Sequence, residues 1–149
     1  MKKINLLLIL FTIIFQGCYN NDCGACFTPP QSFEFKIVDK TSGENLFTNG
    51  EFDSNEITIT DNFNNNEPVE FSFISENNIN LIQIGSIGWK TEIVNLKIDI
   101  SDNHIFSFYV DTERKMADCC SYNQYNEISV TDSEFELESQ TGIYKIFEE

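Results

Sequence analysis

Apolar residues in this chain recur at every second position, and that period limits what it can fold into. The stretch "SFEFKIVD" sets Phe33, Phe35 and Ile37 on one side and Glu34, Lys36 and Val38 on the other. A strand turns successive side chains to opposite faces, so such alternation marks a strand with one face buried. "EITIT" repeats the pattern with Ile57 and Ile59, and so do "VEFSFIS", "NLIQIG", "IVNLKIDI", "IFSFYV", "NEISV", "EFELE" and "GIYKIF". No segment of useful length follows the helical period. "DTERKMAD" comes nearest and is expected to form one turn of helix at most. Eight or nine strands with closely spaced turns point to an all-β chain, an antiparallel β-sandwich. A small β-barrel is the alternative. The 14 phenylalanines set the chain apart from disordered acidic sequences, which lack aromatic residues.

Two hairpins follow from matching apolar faces. A two-residue turn at Asn77-Asn78 pairs Phe73 with Ile82 and Phe71 with Ile84 on one face. For "IVNLKIDISDNHIFSFYV", a two-residue turn at Asp102-Asn103 sets Phe106 against Asp99, which mixes faces. A three-residue loop, Asp102-Asn103-His104, instead pairs Ile100 with Phe106, Ile98 with Phe108 and Leu96 with Val110. "KTSGEN" and "SQTG" read as turns, and "DNFNNNEP" as a long Asn-rich loop.

The start of the chain has the parts of an export signal. Lys2 and Lys3 precede an apolar run, Ile4 to Phe15, broken only by Asn5 and Thr12. That run is shorter than the roughly 20 residues needed to span a bilayer. Phe15 with Gly17, or Gln16 with Cys18, lacks the small residues that ordinary signal peptidase requires at −3 and −1. Gly17-Cys18 resembles the lipobox of bacterial lipoproteins, in which the cysteine thiol takes a diacylglycerol. The resemblance implies a signal peptide over residues 1–17, a lipidated Cys-rich tether over 18–32 and a β-sandwich domain over 33–149. Several acyl chains on Cys18 would make the attachment effectively permanent.

The chain from Cys18 onward holds 7 basic against 24 acidic residues, a net charge of −17. Such a surface repels phosphate backbones, so nucleic acid is excluded as a partner. An anionic leaflet repels it as well, leaving the lipid on Cys18 as the contact with the bilayer. Four further cysteines remain, Cys23, Cys26, Cys119 and Cys120. An even number in an exported chain reads as disulfides. Bridging Cys119 to Cys120 would close a strained ring, so two bridges between "CGAC" and "DCC" are expected, with the pairing left open. Two adjacent cysteines in a strand face opposite sides, so "MADCCSY" is expected to leave regular strand geometry.

Other chemistries find less support in the residues. "CGAC" resembles the redox motif of thioredoxin-like oxidoreductases, but "FTPP" follows it where such motifs open a helix. Zinc would need adjacent ligands at Cys119 and Cys120, awkward for a tetrahedral site. His104 is the only histidine, expected at a solvated loop tip, and no Gly-x-Ser-x-Gly elbow occurs. Asp61, Asn64, Asn66 and Glu67 offer oxygens for calcium, but Phe63 breaks the EF-hand pattern and a solvated loop is expected. With 24 acidic residues, a carboxylate pair at any given spacing carries no meaning. Trp89, Tyr122 and Tyr125 are expected to pack in the core or at strand edges, with a shared binding surface as the alternative. No catalytic residue, metal or cofactor is assigned.

Taken with "CGACFTPPQSFEFKIVDKTSGENLF" and "DCCSYNQYNEISV", the chain is similar to small Gram-negative lipoproteins of no assigned function that join a Cys-rich tether to a β-sandwich. The resemblance implies a membrane-anchored address in the cell envelope and the fold, and supplies no activity. The lipid anchor, the tethered β-domain and the lack of a catalytic constellation lead to the expectation of a non-enzymatic module that binds or scaffolds an unidentified envelope protein or ligand. Tyr19 stands where Asp would hold such a lipoprotein at the inner membrane, so the outer membrane is expected. The alternative is a thiol-redox or metal-binding protein using Cys23 and Cys26.

Overall fold

The computed structural model describes residue 26 and residues 28–117 and 120–149. Residues 1–17, Cys18, Cys23 and Cys119 lie outside them. Ten strands follow in order: β1 (Phe33–Asp39), β2 (Ile57–Asp61), β3 (Glu67–Pro68), β4 (Ser72–Ile74), β5 (Leu81–Ile84), β6 (Glu92–Ile100), β7 (Asn103–Ala117), β8 (Cys120–Thr131), β9 (Glu134–Leu137) and β10 (Ile143–Glu148). Nine coincide with the alternating stretches. The tenth, β3, is a two-residue strand inside the Asn-rich segment.

The strands form two five-stranded sheets, β4-β5-β1-β10-β9 and β3-β2-β6-β7-β8. Every ladder is antiparallel except β1 with β10. The two sheets stay open at their edges, so the architecture is a β-sandwich and not a barrel. The connections β1–β2, β3–β4, β5–β6 and β8–β9 each cross from one sheet to the other.

The core lies where the alternation puts it. Phe33, Phe35 and Ile37 of β1, Ile82 and Ile84 of β5 and Ile146 of β10 face Ile59, Leu96, Ile98, Phe106 and Phe108 from the other sheet. Rings touch across the gap: Phe35 lies 4.8 Å from Phe108 and 5.0 Å from Phe106 between centroids, and Phe33 lies 4.9 Å from Phe108. Edge-on and tilted contacts of this kind add to the burial of each ring. Val38 departs from the outward orientation that simple alternation assigns it. It is buried, because the chain after β1 folds back and pairs Asn45 with it, seating Leu46 in the core.

The β4–β5 register is the expected one, Phe73 with Ile82. The link is longer than two residues: Glu76–Asn78 forms a 3-10 turn, with Asn77 and Asn80 at positive φ. The β6–β7 hairpin differs from expectation. Its turn is Ser101-Asp102, with Ser101 at φ +55°, and Ile100 pairs with Asn103. Ile98 pairs with Phe106 and Leu96 with Phe108, two residues away from the expected register. A bulge leaves Ile105 unpaired and buried. A shift of two keeps every side chain on its face, so face matching alone could not separate the two registers.

The stretch expected as a helical turn is strand. β7 continues to Ala117, but β6 stops pairing with it at Thr112, so residues 113–117 and 120–124 form a two-stranded ribbon beyond the sandwich. A second bulge, at Asn126, separates the pairs Asp111–Glu127 and Thr112–Tyr125. It inverts the alternation of β8. Ile128 and Val130 face the core on one side of it, and Tyr125, which packs edge-on against Phe33, does so on the other.

Candidate functional site

The N-terminal segment meets the β7–β8 ribbon at a covalent junction. Cys26 is bonded to Cys120, with Cα atoms 5.2 Å apart. Cys120 holds strand geometry as the first residue of β8, paired with Ala117, so departure from the strand is not needed at that cysteine. Around this bond the bulge has turned Asn123 and Tyr125 toward the incoming chain. The Arg114 guanidinium donates to the Thr28 carbonyl at 2.7 Å, to Ser121 Oγ at 2.6 Å and to Asn123 Oδ1 at 2.6 Å. The Gln31 amide donates to the Tyr125 hydroxyl at 3.3 Å. Asn123 Nδ2 donates to the Gly88 carbonyl at 2.8 Å, tying in the β5–β6 connection. Gly88 has φ +95°, and a Cβ there would collide with the Asn123 carboxamide and crowd Pro30 at 3.2 Å. Only glycine fits both the dihedral and the space.

A pairing of Cys26 with Cys120 bears on the redox and zinc readings. A Cys-x-x-Cys redox centre joins its own two cysteines, and zinc requires thiolates. In the bonded state Cys26 meets neither condition.

His104 lies on β7, one residue past the strand's start, and not at the hairpin tip. The register that puts it there sets it opposite Asp99. Its Nδ1 is 3.0 Å from Asp99 Oδ1, and its Nε2 is 3.3 Å from both Asp132 Oδ2 and Ser107 Oγ. An aspartate, a histidine and a serine in line suggest a nucleophilic triad, but the fourth member changes the chemistry. Asp132 accepts hydrogen bonds from Ser107 first and His104 second, which hold its carboxyl below the ordinary carboxylate range. The Ser107 hydroxyl lies at hydrogen-bonding distance from His104 Nε2, with the donor set by the histidine tautomer. A negative charge beside Ser107 also opposes the oxyanion that acyl transfer must form. Ser107 is itself buried. The cluster joins the β6–β7 hairpin to the β8–β9 crossover.

Comparison with models of protein families, with curated proteins and with solved structures finds no match to the chain.

Of the oxygens the Asn-rich segment offers, that of Asp61 is bound to backbone amides. Asp61 is largely buried, and its Oδ1 accepts from the amides of Phe63 at 3.0 Å and Asn95 at 3.1 Å. Asn65 and Asn66 carry the left-handed φ values, 53° and 57°, that reverse the chain toward β3. Among the described residues, no group of three or more His, Cys, Asp and Glu is placed to hold a metal ion.

The three aromatics separate. Tyr122 and Tyr125 lie on opposite faces of β8, Tyr125 half-buried against the core and Tyr122 exposed. Trp89 belongs to the β5–β6 connection, with half its surface exposed and its indole N–H donated to the Gly85 carbonyl at 3.1 Å. It lines an open groove of about 700 Å³ with Val69, Glu70, Phe71, Ser72, Gln83 and Ser86. Two sheet crossings build this groove, β3–β4 on one wall and β5–β6 on the other. No sequence motif announces it: its floor is the paired Ser72 and Gln83 of the β4–β5 hairpin, and its walls are the connections that flank that hairpin.

Proposed function

We propose that this chain is a lipid-anchored protein of the cell envelope whose β-sandwich serves as a non-enzymatic binding or scaffolding module. The Cys26–Cys120 bond carries the reading. Disulfides persist in oxidising compartments, which agrees with export. The bond also lies close in sequence to the Gly17-Cys18 pair. Eight residue steps separate Cys18 from Cys26, at most about 3.6 Å each, so an acyl group on Cys18 holds the ribbon within roughly 30 Å of the bilayer surface. The bond then ties the anchored end to the ribbon, and Tyr19 in place of Asp supports outer-membrane residence. The Asp132 carboxylate on His104 Nε2, beside Ser107, supports a module without nucleophilic catalysis.

The test is metabolic labelling with palmitate in the native envelope. Wild type incorporates label and fractionates with membranes, and Cys18→Ala loses both. Label retained by the variant overturns the anchor. Intact mass with and without reductant, together with peptide mapping of the bonds, separates this reading from the redox and zinc alternative, which requires Cys23 and Cys26 bonded to each other, free, or holding zinc.

A further inference from the structure

We propose that the groove beside Trp89 binds a neutral oligosaccharide. The inference rests on the reading of the chain as a binding module and names its ligand class. Groove shape comes first. Small apolar ligands favour enclosed cavities that bury most of their surface, whereas this groove is open along its length. It suits an extended polymer that is itself partly solvated.

The lining defines the polymer. The half-exposed indole of Trp89 has its orientation fixed by the bond to Gly85, and Phe71 adds a half-buried ring. A pyranose presents a face of C–H groups to such rings and a rim of hydroxyls that both donate and accept. Gln83, Ser72, Ser86 and Glu70 line the same groove and supply both kinds of partner. Gln83 already donates one N–H to Glu34 at 2.8 Å, which pre-orients its carboxamide. A neighbouring recess shares Val69 and Ser86 and extends the surface past Lys90 to Phe63, exposed over 61% of its area. Several sugar units could therefore be contacted in a row.

Charge excludes the acidic polysaccharides. Lys90 is the one cation lining the two recesses, against Glu67, Glu70, Glu92 and Asp61. A peptide strand is the other polymer to weigh. Adding a strand requires a free sheet edge, and the edge strand at this groove, β4, offers only three residues.

The chain contains a single tryptophan, so its tryptophan emission comes from Trp89 in this groove. The experiment titrates the full acylated chain, in a detergent without a sugar headgroup, with maltohexaose, cellohexaose and chitohexaose at millimolar concentration. The expected result is a saturable change in tryptophan emission with at least one of them. By calorimetry, Trp89→Ala weakens that binding about tenfold or more. Glu70→Ala, on an exposed loop position, weakens it while leaving the urea midpoint unchanged. The proposal is overturned if no oligosaccharide gives a saturable signal, if Trp89→Ala binds as well as wild type, or if an acidic oligosaccharide or an oligolysine binds more tightly. Mass spectrometry of the recovered sugars separates the two readings. Cleaved products would keep the groove and overturn the non-enzymatic module, whereas absent binding with label still on Cys18 overturns the groove alone.

Discussion

Single residues at the junction and at the sheet crossings carry more than their chemistry suggests. Gly88 is the clearest case. Gly88→Ala places a Cβ against Asn123 and forces an L-residue to φ +95°. The strain is on the order of 1–3 kcal/mol, and the bonds from Asn123 to Gly88 and Tyr125 loosen with it. Urea denaturation should show a lower midpoint with an unchanged slope. Asp132 makes an acid-dependent contribution. Its folded pKa is lowered, chiefly by Ser107 and then His104. The stabilisation is therefore present above its unfolded pKa, near 4, and is lost as pH falls through the folded value. The side chain is 54% exposed, so screening keeps the effect small. Asp132→Asn should flatten stability measured between neutral and acid pH, and an unchanged acid slope would refute the assignment. Glu148 acts in the opposite sense, since burial raises its pKa and its ionisation costs stability above pH 4.

Elements were legible in the sequence wherever one face is buried and one is wet. Phe33, Phe35 and Ile37 in β1, and Ile57 and Ile59 in β2, lie where alternation put them. Legibility failed where the period of two is interrupted. The bulges at Ile105 and Asn126 are single residues with no compositional mark, yet the first accompanies the altered register and the second turns Tyr125 inward. The polar ribbon of β7 and β8 was hidden for another reason. It buries too little on either face to show a pattern. The covalent hold between this ribbon and the N-terminal segment is the disulfide, whose cysteines are separated by 94 positions. In the chain-entropy model a loop of that length stabilises the fold by roughly 4–5 kcal/mol. Cys120→Ser, compared with wild type in urea, should lose a large part of that and leave the β-sheet circular dichroism intact at zero denaturant. The candidate groove was legible only in part. The β4–β5 register already pairs Ser72 with Gln83, but nothing in the sequence places Val69, Ser86 and Trp89, which lie in the connections flanking that hairpin, beside the pair.

At the scale of the molecule, the parallel pairing of β1 with β10 has a mechanical consequence. The first and last strands lie side by side and run the same way, from Glu34–Ile143 to Asp39–Glu148. A pull that holds the N-terminal end and draws on the C-terminus slides these strands along each other, loading their hydrogen bonds together instead of unzipping them one at a time. The cystine then limits how far the chain can yield. Residues between Cys26 and Cys120 sit inside a closed covalent ring and cannot be drawn out, which leaves the 29 residues after Cys120. Extended at about 3.4 Å each they release roughly 100 Å, whereas the reduced chain beyond Cys26 releases roughly 420 Å of contour. Optical-tweezer traces of the full chain, with and without reductant, should show those two lengths, and equal lengths would mean that the ring is open. A fold held at its foot in this way yields under tension by a short, fixed stroke and keeps two thirds of its length out of reach of the force.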